Sequence, residues 1–156
     1  MRARTALVAI GAIVLGPPVL AGCSAEDPLN EVTVIGLDYA FGGPRTLPPG
    51  PTAIAFENRG EVEHEMILVR LKEGVTLEEV IEAVRGGGDP AEFTEGGAGI
   101  LIAGPGAVTA SRLLVDFSPG RTYALVCNFQ DEPDAPPHTA LGMVATLQVS
   151  GPQELR

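Results

Sequence analysis

The amino-acid sequence predicts an all-β fold, a Greek-key β-sandwich with one short helix in an inserted segment. Its 156 residues suffice for one domain, and 45% of them are apolar, enough to build a packed core. Glycine and proline are frequent, at 20 and 14 residues, which predicts many turns between short elements. The apolar runs between these turns are short and rich in β-branched residues, as in the strands of a sandwich.

The first residues have the features of an export signal rather than of a domain. Arg2 and Arg4 give the N-terminus a positive charge, and residues 6–15 form an apolar run that is too short to span a bilayer. We therefore predict a signal peptide over residues 1–22.

A cysteine follows this signal directly and completes the sequence Leu-Ala-Gly-Cys at residues 20–23. This sequence resembles a bacterial lipobox, which implies that Cys23 is lipid-modified and anchors the protein to a membrane of the cell envelope, outside the cytoplasm. The alternative is an ordinary secretory cleavage site beside an incidental cysteine. Residues 23–30 are then a lipidated tether, and residues 31–150 form the domain. Cys127 is left without a disulfide partner, and metal binding is a good reason for an unpaired thiol in an oxidising compartment.

Six segments of the domain have the apolar and β-branched composition of strands. They span residues 31–37, 52–57, 65–71, 112–117, 122–127 and 143–149. Residues 38–50 are rich in glycine and proline, and we expect turns and a crossing loop there.

Residues 76–85 change from strand to helical periodicity. The apolar residues at the spacing of one helix face are Leu77, Val80, Ile81 and Val84. Thr76 is placed to cap this helix together with Glu79, and Gly86 is placed to end it. Residues 86–106 are rich in glycine, and we predict a flexible surface loop for them.

Acidic residues outnumber basic ones by 20 to 10, which gives a formal net charge of −10. Nucleic-acid binding therefore has no electrostatic support. Two interpretations of the acidic surface stay open at this point, a solvated exterior and a docking face for a basic redox partner.

The chain has few residues of the types that bind soft metals, namely two histidines and, besides Cys23, one cysteine. His64, Cys127 and His138, with Met143, supply the imidazole, thiolate and thioether groups that define a blue-copper electron-transfer site. Each lies at or near the end of a predicted strand, so the sheets can bring all four to one end of the sandwich. Taken singly, each has a simpler explanation as a core or surface residue. Met66, two residues after His64, has two interpretations, approach to the metal and packing in the core, and we expect it in the core.

An enzymatic function has little support in the sequence. Cys127 and His138 resemble a nucleophile and its base, but no Asn or Asp is placed to orient His138 in a known motif. Neither a phosphate-binding loop nor a catalytic carboxylate pair is evident. We therefore predict that the protein is not an enzyme.

Three segments resemble the cupredoxins, the blue-copper proteins of the plastocyanin and azurin type. Residues 48–64 (PPGPTAIAFENRGEVEH) are similar to the family's strand, Asn-x-Gly turn and first histidine ligand. Residues 118–127 (SPGRTYALVC) are similar to its Pro-Gly turn, tyrosine strand and ligand cysteine. Residues 138–144 (HTALGMV) are similar to its closing pair of histidine and methionine ligands.

This resemblance implies one type 1 copper, with His64, Cys127 and His138 as the strong ligands and Met143 as the weak axial ligand. It also implies that Asn58 braces the ligand loops by hydrogen bonds. In the family, the ligand that corresponds to His138 is usually exposed at an apolar patch through which electrons pass.

The implied function is membrane-anchored electron transfer that cycles between Cu(I) and Cu(II). Its expected partners are redox proteins of the cell envelope, such as a basic c-type cytochrome. The alternative is a copper-binding or copper-delivery lipoprotein of the envelope that transfers no electrons.

One segment departs from the family pattern. Residues 128–137, between Cys127 and His138, form a longer loop than the familiar ones, although loop-closure entropy grows slowly with length. The acidic residues of this loop are Asp131, Glu132 and Asp134. They are expected to keep the loop hydrated or to meet a basic partner.

Overall fold

Two β-sheets form the domain in the computed structural model, which describes residues 29–86 and 88–150. The strands in these residues are β1 (Asn30–Leu37), β2 (Ala40–Gly42), β3 (Thr46–Leu47), β4 (Gly50–Asn58), β5 (His64–Leu71), β6 (Thr94–Ala103), β7 (Leu113–Phe117), β8 (Thr122–Val126) and β9 (Val144–Val149). The helices there are α1 (Leu77–Arg85), a 3₁₀ helix (Pro90–Phe93) and α2 (His138–Leu141).

The sheets contain four and five strands, in the orders β2-β1-β4-β7 and β3-β9-β8-β5-β6. β1 pairs in parallel with β4 and β3 with β9, and all other neighbouring strands are antiparallel. Consecutive strands such as β4 and β5 lie in different sheets, so the chain crosses repeatedly between the two layers, as in a Greek-key sandwich. The predicted all-β sandwich is confirmed.

One hydrophobic core lies between the sheets. Phe56 of β4 and Met66 and Leu68 of β5 are fully buried in it, which confirms the expectation for Met66. Burial of each such side chain stabilises the fold by roughly 1.5–3 kcal/mol. Gly36 of β1 lies against Phe56, and a Cβ atom at residue 36 would come within 2.8 Å of the phenyl ring, so this position requires glycine.

The predicted helix at residues 76–85 is present as α1. Thr76 accepts a hydrogen bond from the backbone of Glu79, whose carboxylate accepts one from the backbone of Thr76, so the two form a capping box. Val80 packs with Ala124 of β8, and the apolar face of α1 therefore covers part of the five-stranded sheet.

Residues 86–106 differ from the prediction of a flexible surface loop. Most of them form the 3₁₀ helix and β6, which pairs with β5 from Ala103 opposite His64 to Thr94 opposite Leu71. The glycines of β6 remove the side chains by which strand alternation is recognised. A Cβ atom at Gly99 would collide with a methyl group of Leu113 in the facing sheet, so a larger residue there would force Leu113 to move.

The segment at residues 38–50 also contains more regular structure than the sequence predicts, because β2 and β3 lie within the expected turns. Both strands are short, with three and two residues, and each lies at the edge of its sheet. A strand of that length has too few residues for its alternation to be recognised.

The predicted signal peptide (residues 1–22) and Cys23 lie outside the described residues, as does most of the tether. β1 begins at Asn30, which pairs with Thr52 of β4, so the sheet starts at the last residue assigned to that tether. Within residues 29–86 and 88–150, no helix is both long and apolar enough to cross a membrane.

Candidate metal centre

Three of the predicted ligands converge at one end of the sandwich. His64 is the first residue of β5, Cys127 directly follows β8, and His138 is the first residue of α2. The Nδ1 atoms of the two histidines are 3.1 Å apart, and the Cys127 Sγ atom lies 3.4 Å from Nδ1 of His138 and 4.0 Å from Nδ1 of His64. The structure thus brings together side chains that are 63 and 74 residues apart in the sequence.

Backbone hydrogen bonds fix Cys127 and the start of α2 against each other. The amide of Thr139 donates to the carbonyl of Cys127 at 2.7 Å, and the amide of His138 donates to the carbonyl of Phe129 at 2.8 Å. The Cys127 sulfur accepts a hydrogen bond from the amide of Glu65 at 3.4 Å. Because β5 and β8 are hydrogen-bonded neighbours, this contact holds the sulfur beside the strand that carries His64.

Asn58, at the end of β4, fixes the loop that leads to His64. Its side-chain amide donates to the carbonyl oxygens of Val62 and Ala103, both at 2.8 Å, and its side-chain oxygen accepts from the amide of Gly60 at 2.9 Å. Gly60 leaves room for this packing, since a Cβ atom there would lie only 2.9 Å from the His64 ring. The hydrogen bonds that the resemblance implies for Asn58 therefore exist.

Met143 is fully buried, and its backbone is hydrogen-bonded to the backbones of Cys127 and His138. Its amide donates to the carbonyl of His138 at 2.9 Å, and its carbonyl accepts from the amide of Cys127 at 3.3 Å. Gly142, with a φ of 110°, ends α2 and turns the chain into β9. The axial-ligand role of Met143 stays a prediction.

His138 is 1% exposed, which differs from the exposed histidine that the resemblance implies. The long loop of residues 128–137 is the reason, because it folds over the imidazole instead of leaving it at the surface. Asp131 of this loop places its Oδ1 atom 3.0 Å from Nε2 of His138. The two roles expected for the acidic residues of this loop were hydration and contact with a basic partner. The contact between Asp131 and a predicted metal ligand is neither of these.

The turn between β1 and β2 contributes two further residues that the sequence analysis missed. The Tyr39 hydroxyl donates to Oδ2 of Asp131 at 2.6 Å, and the Tyr39 ring meets His138 edge to face, with centroids 5.1 Å apart. Asp38 lies 3.5 Å from Nε2 of His64 and accepts a hydrogen bond from the amide of Glu61. No motif in the sequence marks this turn, because its role depends on the distant loop that it touches.

The electrostatics of the site favour neutral imidazole and disfavour a free thiolate. Burial lowers the pKa of His64, and the neighbouring His138 lowers it further. Burial raises the pKa of Cys127, against the effect of hydrogen bonds from the amides of Glu65 and Phe129. If both Nδ1 atoms were unprotonated, their lone pairs would face and repel each other at 3.1 Å. The arrangement therefore requires a proton or a cation between the two nitrogens. Imidazole and thiolate donors with a neighbouring thioether fit copper.

These pKa shifts predict that the metal-free protein is most stable near neutral pH. The folded pKa of His64 lies below its ordinary value of 6.5, so below that pH the unfolded chain binds more protons and stability falls. The folded pKa of Cys127 lies above its ordinary value of 9.0, so the unfolded chain loses its proton first and stability falls above that pH. Urea unfolding over a pH series measures both limbs. His64→Gln should remove most of the loss of stability between about pH 6.5 and pH 5. If the variant loses the same stability over this range as the natural chain, His64 is not the residue responsible.

Comparison with known proteins adds fold relatives but no sequence relatives. No protein-family model matches the chain, and no curated protein matches it. Auracyanin B superposes with a TM-score of 0.52 at 22% identity, covering 83% of this chain and 95% of that one. Dithionite-reduced auracyanin from the photosynthetic bacterium Roseiflexus castenholzii gives 0.51 at 20% identity, covering 78% and 97%. Auracyanin A, a "blue" copper protein from Chloroflexus aurantiacus, gives 0.49 at 19% identity, covering 79% and 100%.

The fold that the first two of these structures share with the chain is the cupredoxin fold. The protein is therefore a cupredoxin-fold protein, as its sequence segments indicate. Within that fold, auracyanins are among the solved structures to which it is similar. At these identities the comparison establishes the fold, and the chemistry of this chain rests on its own site.

Proposed function

We propose that the protein is an electron carrier with one type 1 copper, held by His64, Cys127 and His138 with Met143 as axial ligand. The observation that carries this proposal is the convergence of three buried ligand atoms from two histidines and a cysteine within 4.8 Å of one another. No other group of three His, Cys, Asp or Glu residues in the described part of the chain is arranged to hold a metal in this way.

The residues of the site supply what one-electron transfer requires. Copper held by this set exchanges a single electron between Cu(I) and Cu(II), since sulfur suits one state and imidazole the other. The rigid sheets and backbone hydrogen bonds around Cys127 and His138 hold the ligands still, so little rearrangement accompanies the exchange. The amide of Glu65 directs a hydrogen bond at the Cys127 sulfur, and such bonds tune the potential of these sites.

The burial of the site supports a carrier of electrons over a carrier of copper ions. Cys127 and His64 are 0% exposed and His138 is 1% exposed, so a metal cannot pass to a partner without local opening of the loops. Ligand exchange with an acceptor protein needs accessible donors, and this site presents none at the surface. With its ligand set complete, the site also offers no open position for a substrate, in support of a non-enzymatic role.

The proposal extends to the place and the partners of the protein. The lipobox-like sequence at Cys23 supports a lipid anchor on the outer side of a membrane. The net charge of −10 supports a basic redox partner, for example a c-type cytochrome. Acidic side chains beside the site, from Glu61, Glu63 and Glu132, line one open groove together with Asp131 and would face such a partner.

A visible absorption spectrum of the full chain, titrated with Cu(II) and then reduced, tests the proposed function. We expect an intense blue or green band from the thiolate–copper pair that saturates at one equivalent and bleaches reversibly. A colourless protein that binds only Cu(I) would replace electron transfer by copper handling. If the protein binds no copper, the proposed function is wrong.

A further inference from the structure

We propose that Tyr39 and Asp131 are positioning residues that hold the His138 ring in place and favour the oxidised state of the site. This inference rests on the proposed electron-transfer function. It concerns side chains that do not bind the metal, on two segments far apart in the sequence, and it explains why the long loop folds over His138.

The Asp131 carboxylate uses both of its oxygen atoms in contacts with other side chains. Oδ2 accepts the Tyr39 hydroxyl at 2.6 Å, and Oδ1 lies 3.0 Å from Nε2 of His138. A carboxylate only accepts hydrogen bonds, so Nε2 carries the ring proton. Nδ1 of His138 is then unprotonated and faces the Cys127 sulfur at 3.4 Å. The contact thereby selects the tautomer that binds a metal through Nδ1.

Tyr39 itself has an unusual backbone conformation. Its φ of 59° lies in the left-handed region, and in the described residues no other amino acid except glycine has a positive φ. A bulky side chain rarely adopts this strained conformation, which persists where surrounding contacts hold it. Here the contacts are the hydroxyl bond to Asp131 and the edge-to-face packing on His138.

The two histidines differ in the contacts of their Nε2 atoms. Asp38 lies 3.5 Å from Nε2 of His64, too long for a good hydrogen bond, and that nitrogen has no hydrogen-bond partner within the described residues. Of the two rings, the His138 ring is the one that Asp131 contacts at hydrogen-bonding distance. A carboxylate on the far nitrogen raises the basicity of an imidazole ligand, and greater basicity favours the more highly charged Cu(II).

The reduction potential of the copper-loaded full chain tests the role of Asp131. We expect Asp131→Asn, which keeps the shape but removes the charge, to lower the preference for Cu(II) over Cu(I) about tenfold, or about 59 mV for one electron. Asp134→Asn is the matched control, because it makes the same substitution at another exposed acidic residue of the loop, and it should shift this ratio less than about twofold. Equal shifts in both variants would overturn the proposal.

Tyr39→Phe tests whether the tyrosine acts through Asp131. It removes only the hydroxyl, and we expect a shift in the same direction as Asp131→Asn but of about threefold. In the Asp131→Asn background, Tyr39→Phe should have almost no effect, because the carboxylate charge that the hydroxyl positions is already absent. Additive shifts, or a shift of opposite sign, would exclude a positioning role for Tyr39.

A nitrogen-15 NMR measurement on the metal-free full chain separates this inference from the proposed function. We expect the Nε2 proton of His138 to exchange slowly with water, and Asp131→Asn to accelerate its exchange at least about tenfold. A blue protein in which neither the exchange nor the potential responds would refute the inference alone. A chain that never becomes blue would refute the proposed function, while the NMR result would still decide whether Asp131 orients His138.

Discussion

Cys127→Ser is expected to abolish the blue or green absorption band and to lower the affinity for Cu(II) more than about hundredfold. The band requires a thiolate bound to copper, and a serine hydroxyl at neutral pH supplies neither the charge nor the softness of that ligand. Loss of an outer hydrogen-bond partner already costs metal sites 10–100-fold, roughly, so loss of a strong ligand should exceed that range. Absorption and competitive copper titration measure the two effects.

The fold should survive this substitution, which makes the loss of colour interpretable. Cys127 is buried, but the serine hydroxyl can still accept the hydrogen bond that the Glu65 amide donates to the sulfur. We expect the free energy of unfolding of the metal-free protein to change by about 1 kcal/mol. Cys23→Ser is the control, since it removes the other cysteine and should leave the band intact. A variant with serine at residue 127 that kept an unchanged colour would contradict the ligand assignment.

The sequence predicts the ligand residues well because they are rare and lie at strand ends. With two histidines and one cysteine in the domain, few sets of ligands are possible, and the strand pattern indicates which ends can meet. The structure brings His64, Cys127 and His138 together, as that reasoning expects. Strands with continuous apolar runs, such as β4 and β5, were also predicted to within two residues of their bounds.

The parts that the sequence could not predict depend on contacts between distant segments. β6 contains several glycines, and its strand conformation comes from pairing with β5 rather than from its own composition. The burial of His138 follows from the path of a ten-residue loop, which no local pattern determines. Asp131 and Tyr39 are 92 residues apart, so their hydrogen bond becomes visible only in three dimensions.

Asn58→Ala should lower the free energy of unfolding of the metal-free protein by about 3 kcal/mol or more. The substitution removes three side-chain hydrogen bonds and leaves the carbonyl oxygens of Val62 and Ala103 and the amide of Gly60 without their partners. Asn58 is 0% exposed, so water does not replace these bonds freely. Each unsatisfied group costs roughly 1–3 kcal/mol. Urea unfolding measures the change.

Asn128→Ala is the matched control, because Asn128 also lies beside the site but is exposed and makes one side-chain hydrogen bond, with Thr139. It should cost less than about 1 kcal/mol.

The same Asn58 variant decides whether the fold and the copper site are coupled through the loop that carries His64. If Asn58 fixes that loop, Asn58→Ala should weaken Cu(II) binding about 10–100-fold, because copper must then order a ligand that the apoprotein no longer holds. Copper should in return restore part of the lost stability, since a ligand that binds only the folded state stabilises it. A destabilised variant with unchanged copper affinity would mean that β5 alone holds His64, and that Asn58 serves the sandwich rather than the site.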